Sequence, residues 1–202
     1  MRVLFLSIIL LILSFNQDSK TTILFFGDSL TAGYGLSPEQ AFPILVEKKF
    51  RNAGKNVRVV NAGVSGETTA GGLGRIDWVL NQNFDVFVLE LGANDGLRGL
   101  PLKQTNENLQ KIIAKVRAKN PKAKIVIAGM QVPPNMGEDY ANEFIKIFPK
   151  IAKENNIRLI PFILEGVAGE ESLNQPDGIH PNIEGSKIVA NTVYRVLESI
   201  HL

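Results

Sequence analysis

The chain has 202 residues, a length that suits one domain, or one domain plus a targeting segment, and that can bury a sizeable core. Its 22 Lys and Arg against 20 Asp and Glu give a net charge of +2, with no long run of either sign. Nucleic acid is therefore not an expected partner. The absence of cysteine excludes a thiol nucleophile, a disulfide framework and a Cys-based zinc site.

The first 20 residues have the pattern of a signal peptide. Arg2 precedes an apolar run from Val3 to Phe15, and the chain is then polar up to Lys20. A helix that spans a membrane needs about 20 apolar residues, so this run is too short for one. We therefore assign residues 1–20 to a signal peptide and residues 21–202 to one domain. No clear small-x-small cleavage pattern follows the apolar run, so an uncleaved membrane tether is one alternative. A buried first strand or helix of the domain is the other.

Beyond Lys20, short apolar and β-branched runs alternate with longer segments of helical period. This pattern is typical of the α/β class, in which helices cover a parallel sheet. The apolar runs are nearly continuous, which favours strands covered on both faces. The five predicted strands are 22–26, 57–61, 85–91, 124–129 and 158–161. The predicted helices are 38–53, 68–81, 106–119, 138–155 and 183–200, and Ser37 with Gln40 predicts a capping box at the first of them.

A serine follows the first predicted strand directly. In an open parallel sheet, ligands bind beyond the carboxyl ends of the strands, so the loops after strands are the places to search for chemistry. The first such loop reads Gly27-Asp28-Ser29-Leu30, which makes Ser29 a candidate nucleophile. The alternative is that Asp28, Ser29 or Thr31 only caps a short helix.

The last loop supplies a base. The chain has two histidines, and His201 is the penultimate residue, so a mechanism that needs an imidazole must use His180. Asp177 lies three residues before it, and a turn at Gly178 would bring the carboxylate back to one ring nitrogen. The alternative is a simple Asp-Gly turn before a helix.

Two further glycine-rich loops follow the second and third strands. The backbone N–H of Gly66, the side-chain amide of Asn94 and the N–H of Ser29 are candidate donors to an oxyanion, as acyl transfer requires. Each has a structural alternative, which is a tight turn for Gly66 and an Asx hydrogen bond within its own turn for Asn94.

Other chemistries find little support. Ser65 lies in a near match to the Gly-x-Ser-x-Gly elbow, but Glu67 replaces the second glycine. Neither a dinucleotide fingerprint nor a phosphate-binding loop occurs, so no nucleotide cofactor is expected. With two histidines, one of them near the end of the chain, and no cysteine, we expect no metal.

Four short blocks now carry a family resemblance. In chain order they resemble the blocks of the GDSL, or SGNH, hydrolase family: Gly27-Asp28-Ser29-Leu30, Gly66, Gly92-Ala93-Asn94-Asp95 and Asp177-Gly178-Ile179-His180. The resemblance covers essentially residues 22–200. It implies a flavodoxin-like three-layer α/β/α sandwich without a cofactor, catalytic Ser29, Asp177 and His180, and oxyanion residues Ser29, Gly66 and Asn94.

Taken with Thr31-Ala32-Gly33-Tyr34-Gly35 and His180-Pro181-Asn182, these blocks resemble exported bacterial members that act as arylesterases, acyl-CoA thioesterases and lysophospholipases. This implies an exported protein, periplasmic or secreted, that acts on small-molecule or lipid acyl esters. No obligate protein partner is expected, and a transient contact with a membrane surface stays open. An acyltransferase, a carbohydrate O-acetyl esterase and a non-enzymatic anion-binding module are the alternatives.

The loop at 131–137 is a candidate wall of an acyl pocket, whereas Phe144, Ile147, Phe148 and Ile151 have the helical spacing of a core face.

Overall fold

A central parallel sheet organises the protein. The computed structural model describes residues 20–200, so His201 and the predicted signal peptide, apart from Lys20, lie outside the described residues. The sheet order is β2-β1-β3-β4-β5, the order of flavodoxin-like folds. Its strands are β1 (Thr21–Gly27), β2 (Val57–Gly63), β3 (Val86–Glu90), β4 (Lys124–Ala128) and β5 (Arg158–Ile160). The five predicted strands and the parallel sheet are confirmed.

Seven α-helices and three short 3₁₀ turns connect the strands within residues 20–200. The helices are α1 (Ser29–Ala32), α2 (Phe42–Asn52), α3 (Thr69–Val79), α4 (Ala93–Leu97), α5 (Leu102–Lys119), α6 (Glu138–Asn155) and α7 (Ile183–Glu198). The 3₁₀ turns are Pro38–Gln40, Pro134–Met136 and Glu171–Leu173. In this described part of the chain, no helix has the length and apolarity needed to cross a membrane.

The helices form one layer on each face of the sheet. Successive residues of β1 point to opposite faces. Phe25 packs edge-on against Phe42 of α2, whereas the ring of Phe26 lies near Gly72 of α3. Helix α7 packs on α2, and α5 packs on both α3 and α6. The predicted three-layer α/β/α sandwich is confirmed.

Two predicted helices begin elsewhere than expected. The helix predicted at 38–53 is a 3₁₀ turn and then α2, separated at Ala41, which has extended backbone at φ −61° and ψ 136°. Pro43 explains the break, because its ring would clash with the carbonyl of the preceding turn and it has no N–H to donate. Helix α5 begins at Leu102 after Pro101, four residues before the predicted start at 106.

The strand register aligns the loops that carry the candidate residues. Gly27 at the end of β1 pairs with Gly63 of β2 on one side and with Glu90 of β3 on the other. A Cβ at Gly27 would lie 2.2 Å from Thr31 Oγ1 and 2.4 Å from Glu90 Oε2, so this close approach requires glycine. The carboxyl ends of the three strands therefore meet at one edge of the sheet.

Candidate active site

Ser29 is the first residue of α1 and is 9% exposed. Asp28 caps this helix, since its Oδ1 accepts a hydrogen bond of 3.0 Å from Leu30 N–H. The Oγ of Ser29 lies 2.9 Å from Nε2 of His180, although 151 residues separate the two. The structure thus brings the two predicted side chains within hydrogen-bond distance.

Asp177 fixes the loop that carries His180. Its Oδ1 accepts hydrogen bonds of 3.0 Å from the backbone N–H groups of Ile179 and His180. Its Oδ2 lies 2.7 Å from Nδ1 of the His180 ring. Partial burial alone would raise the pKa of the Asp177 carboxyl, but the hydrogen bonds from His180 and Ile179 lower this pKa to about 2. Asp177 is therefore an anion that orients the imidazole.

The two predicted donor loops are joined by Asn94, in the first turn of α4. Its Nδ2 donates to Asp28 Oδ2 and to the backbone oxygen of Glu67, both at 3.1 Å. Asn94 therefore links a residue next to Ser29 with a residue next to Gly66. Gly66 has φ of +77°, in the left-handed region that favours glycine, and its oxygen accepts a hydrogen bond from Arg98.

A cavity of about 520 Å³ opens beside these residues. Ser29, Gly66, Asn94 and His180 all line it. Most of the remaining wall is apolar and includes Leu97, Met130, Val132, Phe162, Leu164 and Ile179. The arrangement suits a ligand with an apolar group next to a polar reacting centre.

The predicted pocket loop contributes in part. Gln131, Val132 and Pro133 line the cavity, whereas Phe144 and Phe148 are fully buried in the core. Phe162 and Leu164, which also line the cavity, were not predicted from the sequence. Both residues follow β5. Because ligands bind beyond the carboxyl ends of parallel strands, the loop after the fifth predicted strand was a place to expect them.

Tyr34 and Glu90 were also missed. The ring centroid of Tyr34 lies 4.7 Å from that of His180. Glu90 is fully buried, and its Oε2 accepts hydrogen bonds from Asp28 N–H and Thr31 N–H, which lie on either side of Ser29. A charged residue at the end of the apolar run from Val86 to Leu89 was the signal that pointed to it.

Ser65 lines the same cavity, but the His180 ring is hydrogen-bonded to Ser29. Among residues 20–200, no group of three or more His, Cys, Asp or Glu side chains is placed to hold a metal ion.

Comparisons with known proteins agree with this architecture. The model of the GDSL-like Lipase/Acylhydrolase family matches residues 25–188. The chain is 38% identical to Esterase TesA of Pseudomonas aeruginosa, over 99% of this chain and all of that protein. It is also 38% identical to thioesterase 1/protease 1/lysophospholipase L1 of Escherichia coli, over 95% of this chain and 90% of that protein.

A solved structure is similar as well. The crystal structure of the psychrotrophic esterase EstA from Pseudoalteromonas sp., inhibited by monoethylphosphonate, superposes with a TM-score of 0.84 at 35% identity. The match covers 90% of this chain and 98% of that one. The fold and these relatives define a hydrolytic enzyme. The chain belongs to the GDSL-like lipase/acylhydrolase family.

Proposed function

We propose that the protein is a serine esterase in which Ser29 is the nucleophile, His180 the general base and Asp177 the residue that orients the base. The hydrogen-bonded series from Ser29 Oγ to His180 at 2.9 Å and on to Asp177 at 2.7 Å carries this proposal. It has the geometry by which an imidazole activates a hydroxyl for acyl transfer.

In the proposed reaction, His180 Nε2 takes the proton of Ser29 as Oγ attacks the ester carbonyl. The N–H groups of Ser29 and Gly66 and the amide of Asn94 stabilise the resulting oxyanion. His180 then gives the proton to the leaving alcohol or thiol, and an acyl-enzyme remains. A water activated by His180 releases the acid, while the Asp177 carboxylate stabilises the imidazolium in both steps.

The proposed substrates are aryl esters, acyl-CoA thioesters and lysophospholipids. The apolar cavity of about 520 Å³ beside Ser29 supports an acyl or aryl group as the bound part. The names of the relatives, an esterase and a thioesterase/lysophospholipase, support the same classes. A panel of p-nitrophenyl esters from acetate to palmitate, assayed beside a thioester and a lysophospholipid, would rank these substrates.

Ser29→Ala and His180→Ala test the mechanism, and each should abolish ester turnover. Both variants should still fold, because the two side chains lie outside the core cluster. A radioactive or mass-tagged organophosphonate should label Ser29 in the wild type. Ser65→Ala, which changes another hydroxyl on the cavity wall, serves as the control and should keep its turnover. Labelling of Ser65, or near-normal turnover by Ser29→Ala, would contradict the assignment.

We also propose that residues 1–20 direct export to the periplasm or the medium. The apolar run from Val3 to Phe15 after Arg2 supports this. If the segment is not removed, it tethers the enzyme to the membrane. Expression of the full chain in a bacterium, followed by fractionation and intact-mass measurement, separates these outcomes. A protein of unchanged mass in the cytoplasm would contradict export.

A further inference from the structure

The residues of the proposed triad come from two loops at opposite ends of the domain sequence. Ser29 follows β1, whereas Asp177 and His180 precede α7. Among residues 20–200, two hydrogen bonds join the segment 28–36 to the segment 174–182. One is the contact between Ser29 Oγ and His180 Nε2, and the other comes from the side-chain amide of Gln175. Apart from the Ser29–His180 contact, Gln175 therefore supplies the hydrogen bond between these two segments.

The side chain of Gln175 donates to both loops. Its Nε2 lies 2.7 Å from the backbone oxygen of Tyr34 and 3.0 Å from that of Pro181. Since a carbonyl only accepts hydrogen bonds, both contacts require the nitrogen end of the amide and use both of its hydrogens. The backbone of Gln175 is fixed within its own loop, because its N–H donates to His180 O at 2.7 Å and its oxygen accepts from Gly178 N–H at 2.9 Å. The amide therefore reaches across to Tyr34 from an anchored backbone.

The contact with Tyr34 reaches Ser29 within one turn. Tyr34 N–H donates to Ser29 O at 3.0 Å, and the ring centroid of Tyr34 lies 4.7 Å from that of His180. The turn also passes directly against the amide, since a Cβ at Gly35 would lie 2.1 Å from Gln175 Oε1. Gly35 has φ of +74°, so both its backbone conformation and this close approach favour glycine. A shift of the amide would therefore shift the turn that carries Ser29.

We propose that Gln175 is a positioning residue whose amide holds the His180 loop against the Ser29 turn and so sets the distance between His180 Nε2 and Ser29 Oγ. This inference rests on the proposed function, because Gln175 acts only through these two side chains. In the proposed acyl-enzyme, Ser29 Oγ is bonded to the acyl carbon and cannot donate to His180. The contacts from Gln175 then remain to keep the imidazole beside the ester while it activates water.

The test is Gln175→Glu in the full chain, assayed with a p-nitrophenyl ester and normalised to sites titrated to completion by an organophosphonate. Glutamate has the same shape, but its carboxylate has no hydrogen to donate to the oxygens of Tyr34 and Pro181. The positioning role predicts that kcat falls about 10- to 100-fold, since a misplacement of about 1 Å costs a factor of about 100. KM should change less than about twofold, because Gln175 does not line the cavity. The rate at which the organophosphonate labels Ser29 should fall about as much as kcat, because labelling needs the same proton transfer.

Asn182→Asp is the matched control. The Nδ2 of Asn182 also donates to two backbone oxygens, those of Ser172 at 2.8 Å and Asn174 at 3.3 Å, but neither lies in the turn after β1. The exchange removes the same type of hydrogen bond and adds the same charge close to His180, and aspartate can still cap α7. Its kcat per titrated site should stay within about threefold of the wild type, whatever the effect on its melting temperature.

Gln175→Ala removes the amide contacts without adding charge, and it should reproduce the loss of kcat if the glutamate variant does not fold. Normal kcat per titrated site in either Gln175 variant, with only a lowered melting temperature, would overturn the inference. Equal losses in Gln175→Glu and Asn182→Asp would overturn it too, since the added charge would then explain both. The proposed function is judged separately, because Ser29 should be labelled and Ser29→Ala should be inactive whatever the Gln175 variants do.

Discussion

Asp177 shows how one side chain can position both a loop and an imidazole ring. Its Oδ1 holds the backbone of Ile179 and His180, and its Oδ2 holds the imidazole. The same carboxylate therefore determines where the ring lies and which nitrogen faces Ser29. Asp28 has a similar double use at the other side of the site, with one oxygen on α1 and one on Asn94.

We predict that Asp177→Asn lowers kcat by about 10³- to 10⁴-fold, because an amide can donate to Nδ1 and so favour the tautomer that cannot accept the Ser29 proton. The hydrogen bonds from Ile179 and His180 N–H can be kept by the amide oxygen, so the loop should stay folded. Steady-state kinetics and a thermal melt measure the two effects. A normal kcat would remove Asp177 from the mechanism.

Asn94→Ala should lower kcat by about 10² to 10³, equivalent to about 3 to 4 kcal/mol, with little change in KM. The reason is that its amide is assigned to an oxyanion that exists only near the transition state. If Asn94 served only to join its loops, truncation would instead cost on the order of 1 kcal/mol of stability and leave kcat unchanged. Kinetics per titrated site, together with urea unfolding, decide between these results.

At the scale of the element, α3 joins the loops of the site through Arg75. Its guanidinium donates to the Gly27 oxygen at 3.3 Å and to the Ala62 oxygen at 2.8 Å, at the ends of β1 and β2. It also pairs with Glu67, whose side chain is only 7% exposed. Because the oxygen of Glu67 accepts from Asn94, this one helix connects three of the loops around the cavity.

Arg75→Ala should lower the free energy of unfolding by about 3 kcal/mol, because it leaves the buried Glu67 carboxylate without its partner. Lys115→Ala is the matched control on the neighbouring helix. It removes an exposed ion pair with Asp77, and it should cost less than about 1 kcal/mol. Urea unfolding of both variants measures the difference. Equal losses in the two would show that burial of the Arg75 pair contributes nothing.

At the scale of the whole molecule, the buried acids make stability depend on pH. Asp28 has a pKa of about 6 in the folded state against an ordinary 3.8, so the folded state binds the proton more tightly. Its contribution to stability is therefore greatest below about pH 4 and falls as the pH rises to about 6. The ionisation of Asp177 changes stability in the opposite direction and at lower pH. Because its folded-state pKa is lowered to about 2, its contribution to stability is present at neutral pH and is lost as the pH falls towards 2.

We predict that the stability of the wild type relative to Asp28→Asn falls by about 2 kcal/mol between pH 4 and pH 7, since asparagine does not titrate. Burial raises the pKa of Glu90 in both proteins and so continues the same trend at higher pH, and in the wild type the Asp28 charge raises that pKa further. Urea unfolding at four pH values measures the change, and Asp77→Asn should run parallel to the wild type. A stability difference that is constant with pH would show that Asp28 ionises normally.

Local patterns predicted the five strands and the five long helices of the fold. Continuous apolar runs predicted all five strands, and helical period predicted α6 at its observed bounds of Glu138–Asn155. The predicted starts of two helices, at 38 and 106, were wrong, and in the structure these helices begin beside Pro43 and Pro101. The short helix α4 was not predicted, and α1 was considered only as the alternative in which a residue near Ser29 caps a short helix, because four or five residues are too few to show a helical period.

The sequence by itself determined which residue types were available for chemistry: one internal histidine, an aspartate three residues before it, and a serine directly after the first strand. Only the tertiary structure decided that Ser29 and His180 meet across 151 residues, and that Phe162 and Leu164 line the same cavity as Ser29. It also buried Asp28 and Glu90 side by side, which raises the pKa of both carboxyls. The physical reason is that distance and burial arise from segments far apart in the chain, so the burial that raises the pKa of Asp28 comes from tertiary packing and not from its neighbours in sequence.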